Sequence, residues 1–247
     1  MATKLKVPGI AAKWLFIISM LILLVSASLA WAVNSLWLYQ YGAEKNNVRQ
    51  TLAYSGLELT DLELERIYAG LISYFNSNEE YISLTVVEAG QPFNLFTPEE
   101  TIHFKDVKGL IWLDYYLLLG TLVYVLAYAG VCRFWRKRRY WRHLAWGVVG
   151  GGGITLALML VLALGIHFGF RQLFDQFHLL FFRNFYYSAE GFMLLLFPEP
   201  FFNYAALFCA GITSGLALIL GGIAGSYLLL TRSKTIPDYK KTTLTEL

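Results

Sequence analysis

Long stretches without charge alternate along this chain with shorter polar ones, and the alternation predicts most of the architecture. Residues 14–43, 115–132, 144–170 and 201–231 carry no Asp, Glu, Lys or Arg. Each can supply the roughly 20 apolar residues that carry a helix across a hydrocarbon core, the second by borrowing Leu110, Ile111, Trp112 and Leu113. Trp14, Trp31 and Trp37 flank the first run, where amphipathic rings settle at a membrane interface. The first run is longer than the apolar core of a signal peptide, so despite Ala30-Trp31-Ala32 it is expected to remain as an anchor.

The polar stretches have their own periodicities. Residues 44–54 are weakly helical. Thr60 with Glu63 forms a capping box, and Leu62, Leu64, Ile67, Tyr68, Leu71, Ile72 and Phe75 recur at helical spacing, so a helix is expected to end near Asn76. Residues 81–87 are β-branched and aromatic, 89–91 read as a turn, and 92–96 can return as a short strand. Thr97, Pro98 and Glu100 then supply an N-cap, a first-turn proline and a second capping box. Nothing stops the helix that begins there before it enters the second apolar run. The expected fold class is an α-helical integral membrane protein of four transmembrane helices with a small extracytoplasmic α/β cap. Its parts are an N-terminus and first span (1–36), the cap (37–109), a second span (110–132), a basic loop (133–143), a third span (144–170), a second outer segment (171–200), a fourth span (201–231) and a tail (232–247).

Composition agrees: 57% of the 247 residues are hydrophobic and only 15% charged, with a mean hydropathy of +0.50. Charge sets the expected orientation. Thirteen of the twenty Lys and Arg lie before the first span, in the loop at 133–143 or after the fourth span, the positions that short cytoplasmic segments retain. Segment 37–108 holds eleven acidic and five basic residues and suits the outer face. The net +3 therefore averages two sides of a membrane, and Arg136 to Arg139 reads as a topology signal facing anionic lipid. No nucleic-acid partner is expected. The two cysteines, Cys132 and Cys209, fall in or beside apolar runs, so no disulfide is expected in the cap and no Cys/His metal pattern exists. Gly150 to Gly153, Gly211 with Gly215, and Gly221 with Gly225 read as small faces for helix packing.

The candidate chemistry is a pair of pairs. His103 with Asp106, and Asp175 with His178, stand three residues apart, which puts each imidazole and carboxylate on one helical face. A carboxylate beside an imidazole fixes its tautomer and raises its basicity. Phe174, Phe177, His178 and Phe181 share one face as well, and Glu199 lies between Pro198 and Pro200. These residues leave three classes open: a metal-dependent membrane hydrolase using His103, Asp106, Asp175 and His178; acid/base chemistry without an enzyme nucleophile; and a non-enzymatic assembly role. The metal reading is weakened by the generic spacing and the absence of HExxH, and a serine hydrolase by the absence of G-x-S-x-G.

Three ordered motifs carry a resemblance: Glu99-Glu100-x-x-His103-x-x-Asp106-Val107-Lys108, Phe177-His178-x-x-Phe181-Phe182, and Leu196-Phe197-Pro198-Glu199. Over essentially its whole length the chain resembles the bacterial membrane family of the lipoprotein intramolecular transacylase. That family commonly has a Trp shortly after the Phe-Phe pair, where this chain has Asn184-Phe185-Tyr186-Tyr187. The resemblance implies a cofactor-free acyltransferase of the bacterial plasma membrane that acts on diacylglyceryl-modified lipoproteins. In it the sn-2 acyl chain shifts to the α-amine of the N-terminal cysteine, giving the lyso form. The nucleophile is then the substrate's own amine, so the enzyme needs only a base and an acid. His103 is given the base role and His178 the acid role, with Asp106 and Asp175 orienting them and Lys108 or Asn184 stabilising the oxyanion. Phe174, Phe177, Phe181, Phe182, Tyr186, Tyr187 and Glu199 are the expected substrate-binding residues.

The charge distribution makes a testable statement about topology. Alkaline phosphatase fused within residues 76–81 is expected to be active in cells and the same reporter fused after residue 232 inactive; the reverse pattern would invert the orientation.

Overall fold

The computed structural model describes residues 6–88, 90–134, 139–182 and 191–232. Its elements are α1 (Lys6–Asn34), α2 (Leu36–Lys45), α3 (Val48–Tyr54), α4 (Asp61–Phe75), β1 (Thr85–Glu88), β2 (Gln91–Asn94), α5 (Pro98–Phe134), α6 (Arg139–Phe181), α7 (Met193–Leu196) and α8 (Glu199–Arg232). Helices α1, α5, α6 and α8 are long and apolar enough to cross a membrane. The first apolar run is not one helix: it is divided at Ser35, where the backbone turns extended before α2.

Helix α1 is the shared neighbour of the bundle, packed on α5, α6 and α8. Phe16, Met20 and Leu24 are its buried face. The tetraglycine run lets α6 approach two neighbours at once. A methyl added to Gly151 would lie 3.1 Å from Met20 Cβ, and one added to Gly152 would lie 3.3 Å from the Ala217 carbonyl oxygen of α8. The glycine pairs of α8 do not fill that role. Around Gly211, Gly215, Gly221 and Gly225 an added methyl meets nothing within 4 Å. Helix α8 instead buries Ala210, Ala217 and Ala224, a stripe repeating every seven residues, which is the seam spacing of near-parallel helices. Ser28 and Thr213 exchange a hydroxyl hydrogen bond of 2.8 Å inside this bundle, satisfying two groups that have no water to turn to.

The cap stands on the end of the bundle where α1 stops and α5 begins. Its core joins Tyr39 of α2, Val48 and Leu52 of α3, Leu64, Ile67, Tyr68 and Leu71 of α4, Leu95 and Phe96 after β2, and Phe104 and Ile111 of α5. Helix α4 spans Asp61–Phe75 with the Thr60 and Glu63 capping box formed in both directions. The hairpin is shorter than the sequence predicts, pairing only Thr85 with Asn94 through Glu88 with Gln91. Residues 76–81 are drawn instead along α5. Trp112 Nε1 donates to the Phe75 carbonyl at 3.1 Å, Tyr115 Oη to Asn76 Oδ1 at 3.1 Å, and Lys105 to Glu80.

Two features of the long helices position the site. Helix α5 has 37 residues, about 55 Å at 1.5 Å per residue, far more than the roughly 30 Å core needs. Five of its seven charged residues, Glu99, Glu100, Lys105, Asp106 and Lys108, fall in the first three turns, with Asp114 and Arg133 further along, so residues 98–108 project beyond the apolar span. Helix α6 is interrupted at Gly169, whose backbone is extended (φ −171°, ψ 55°). The chain then bends back on itself: a methyl on Gly165 would come within 2.9 Å of Leu173 Cδ1. Eight residues in an unbroken helix would put about 12 Å of rise between them.

The packing at the tetraglycine separates close glycines from open ones. Gly151→Leu is expected to destabilise the detergent-solubilised protein by about 1–3 kcal/mol through overpacking, and Gly221→Leu to change it by less than about 0.5 kcal/mol; thermal unfolding of the two variants checks this.

Candidate active site

The first turns of α5 and the last turns of α6 meet where the cap joins the bundle. His103 and His178, 75 positions apart in sequence, stack there with ring centroids 6.2 Å apart and planes inclined by 20°. Phe182 closes against both, at 4.7 Å from His103 and 5.3 Å from His178. Phe174 packs under His178 at 4.2 Å and leans on Phe202 of α8 at 5.0 Å. Two imidazoles thus share an aromatic, largely dehydrated corner, with His178 buried and His103 half-buried.

The partners of the imidazoles differ from those the spacing predicts. Nδ1 of His178 is 2.8 Å from the Phe174 carbonyl oxygen. A carbonyl only accepts, so Nδ1 carries the proton and Nε2 presents a lone pair. Asp175, expected to orient His178, is exposed to solvent, and so is Asp106 on α5. Among the described residues no hydrogen bond or ion pair joins either carboxylate to either histidine. The reason is solvation: an exposed carboxylate three residues away gains little from an ion pair in water, whereas the i−4 carbonyl is already beside the ring. Burial first, and the neighbouring His178 second, lowers the His103 pKa to about 4. His103 is therefore neutral at physiological pH.

Lys108 is engaged elsewhere. Its ammonium donates to the Glu79 carbonyl at 2.6 Å and to Ser77 Oγ at 3.2 Å, and lies 4.2 Å from the centre of the Tyr74 ring. Burial lowers its pKa, with Glu79 opposing. This lysine straps the 77–79 turn to α5. Phe177 and Phe181 pack with tilted rings at 4.9 Å but remain about half exposed. Glu199 is exposed at the start of α8. Asn184, Tyr186 and Tyr187 lie outside the described residues. Among the described residues no three His, Cys, Asp or Glu side chains converge as metal ligands; of His103, Asp106, Asp175 and His178, only the histidines come together.

Two contributors were missed by sequence reasoning. The Phe174 carbonyl leaves no sequence signal. Glu100 does, as a capping-box residue, but its burial and its bond to the Met193 amide could not be read from that box.

The family model of the lipoprotein intramolecular transacylase Lit matches residues 14–202. The chain belongs to that family. Among solved structures it is similar to the membrane-integral Lit of Bacillus cereus, with 18% identity over 91% of this chain and 97% of that one and a TM-score of 0.71. Two further structures of the same protein match with TM-scores of 0.69 at 18% identity. One carries a histidine-to-arginine replacement and covers 91% of this chain and 93% of that one. The other carries a histidine-to-alanine replacement, with coverage of 90% and 94%. No curated protein sequence matches. At this identity the likeness fixes the transacylase fold, four membrane helices under a small cap.

The strap assigned to Lys108 has a measurable consequence. Lys108→Met, which keeps the stem and removes the donors, is expected to cost about 1–3 kcal/mol of stability and to raise protease sensitivity at residues 77–81; unchanged thermal unfolding would remove the strap.

Proposed function

We propose that this chain moves the sn-2 acyl chain of a diacylglyceryl lipoprotein onto the α-amine of its N-terminal cysteine, with His103 and His178 handling the charge and the proton. The observation that carries the reading is the stacking of the two imidazoles at the cap–bundle junction. Family membership supplies the reaction class. The substrate brings both reacting groups, so a protein that lacks an activated Ser or Cys nucleophile is sufficient. What it must provide is a confined geometry and a place for one proton.

The step balances as follows. The neutral amine nitrogen attacks the sn-2 carbonyl carbon, a C–N bond forms, and the carbonyl oxygen becomes an oxyanion. His178 takes the amine proton at Nε2, and its imidazolium is stabilised by the bond from Nδ1 to the Phe174 carbonyl. Collapse breaks the C–O bond to glycerol, and the same proton passes from His178 to the departing oxygen. His103, kept neutral by burial, donates its N–H to the oxyanion, the use to which neutral imidazoles suit themselves. These roles differ from those assigned from sequence, in which His103 was the base, His178 the acid and Lys108 or Asn184 the oxyanion partner. A neutral imidazole with a depressed pKa is a poor proton store, and a ring whose Nδ1–H is already committed is a well-defined base.

Location follows from the substrate. Its acyl chains stay in lipid and its peptide in water, and the histidines lie where α5 emerges from its apolar span. Phe174 and Phe182 exclude water around them, while Phe177 and Phe181 meet acyl chains at the rim. The basic segments on one side and the acidic cap on the other support a plasma-membrane orientation with both termini cytoplasmic and the cap outside.

The test is conversion of a diacylglyceryl lipoprotein to the lyso form, read by mass spectrometry. His178→Ala and His103→Ala are each expected to lower the rate by about 10²–10⁴, and Asp106→Asn and Asp175→Asn to stay within about fivefold, the ~1 kcal/mol limit of an exposed pair. Full conversion by both histidine variants would end the proposal. The rate is expected to climb with pH towards about 8, as the substrate amine loses its proton. Because the His103 pKa is lowered, no inflection from His103 appears in that range; a second inflection abolished by His103→Gln would contradict its neutral role.

A further inference from the structure

The chain contains two capping boxes of the same chemistry and opposite environment. At the start of α4 the Glu63 carboxylate bonds the Thr60 backbone N–H at 2.8 Å while exposed to solvent. At the start of α5 the Glu100 carboxylate bonds the Thr97 backbone N–H at 3.1 Å, yet Glu100 is fully buried. Capping therefore needs no burial, and burial of a carboxylate is costly unless its oxygens are bonded. The second Glu100 oxygen is bonded: Oε1 accepts the Met193 backbone N–H at 2.8 Å. Gly191 makes room for it, since any Cβ at that position would collide with the Glu100 carboxylate.

Glu100 is thereby tied to three things at once. It ends the N-terminal turn of α5, it holds the backbone at Met193 that opens α7, and it stands one helical turn before His103. Met193, Leu196 and Phe197 are in turn buried in the cap core beside Phe104. The tie fixes both the height and the rotation of the first turns of α5. We propose that Glu100 is a positioning residue for the reaction assigned above, locking α5 to the Met193 backbone so that His103 faces His178. The inference rests on that functional reading for its catalytic meaning, and on the hydrogen bonds and the glycine for its geometry.

Glu100→Gln tests it with little change of shape. An amide has one acceptor atom, so it must turn a donor towards either the Thr97 or the Met193 N–H. At saturating lipoprotein the variant is expected to lose conversion on the order of tenfold or more, the scale set by small misplacements of catalytic groups, with KM little changed. A second readout needs no turnover. With isotope-labelled histidine in detergent micelles, the His103 ring resonances, assigned through His103→Gln, are expected to move, because the Phe182 ring that shields them at 4.7 Å changes its relation to the imidazole. Glu63→Gln, the same change in the exposed box, is expected to move neither. If Glu100→Gln does not accumulate, Glu100→Asp is read by the same two measurements. Unmoved His103 resonances, or full conversion by folded protein with only the unfolding temperature lowered, overturn the proposal and leave Glu100 as a cap. Moved resonances in a chain whose His103→Ala variant still converts lipoprotein would sustain the tie and sink the functional reading instead.

Discussion

A helix in hydrocarbon satisfies its own backbone and has no solvent to compete for it, so it continues until its sequence offers another solution. The site of this protein depends on two departures from that rule. Helix α5 begins about three turns before its apolar part and carries His103 on the overhang. Helix α6 is released at Gly169, where the extended backbone lets the chain turn back and bring His178 towards α5. Unpaired backbone groups within lipid-exposed hydrocarbon cost several kcal/mol. Both departures occur at the end where the cap supplies partners. The cap is therefore what allows these two helices to depart from straight spans.

The same junction explains the mixture of greasy and polar groups. A phenylalanine against each histidine removes water from the corner, and burial favours the neutral form of His103. Polar ties are kept one turn away: Glu100 to Met193 on one flank, Lys108 to Glu79 on the other. Each satisfies a backbone group that would otherwise be stranded. The two imidazoles remain the polar groups of the corner, stacked with their centroids 6.2 Å apart.

The sequence disclosed those parts that depend on local pattern. Apolar run length located four spans, and two capping boxes located the starts of α4 and α5. The aromatic and histidine periodicity around Phe174 and His178 indicated the face that reaches His103. What it did not disclose depends on where elements end up in space. The i, i+3 spacing of Asp175 and His178 was real, but spacing does not say which face is wet, and the exposed carboxylate lost to a backbone carbonyl that has no side-chain signature. Lys108 shares the overhang with His103, yet the 77–79 turn captures it from a direction that only the tertiary fold determines. The glycine pairs of α8 matched a packing motif, but an alanine stripe at period seven already formed the seam with α6, and the small residues were left facing outward.

The proposed acyl shift makes few demands on such a scaffold, so a sparse site suffices for it. An intramolecular acyl shift places its nucleophile and electrophile on one glycerol–cysteine unit, so much of the entropic cost of encounter is met by the substrate itself. The remaining barrier lies in folding that unit, in stabilising one oxyanion and in relocating one proton between two atoms a few ångströms apart. Folding calls for walls, and the aromatic side chains supply them. Oxyanion and proton call for a neutral donor and a poised base, and in the proposed reaction two imidazoles in unlike surroundings, one depressed by burial and one braced by a carbonyl, divide that labour. In that proposal precision rests on the rigidity of the helix ends that carry the two rings, which is where the Glu100 tie to Met193 acts.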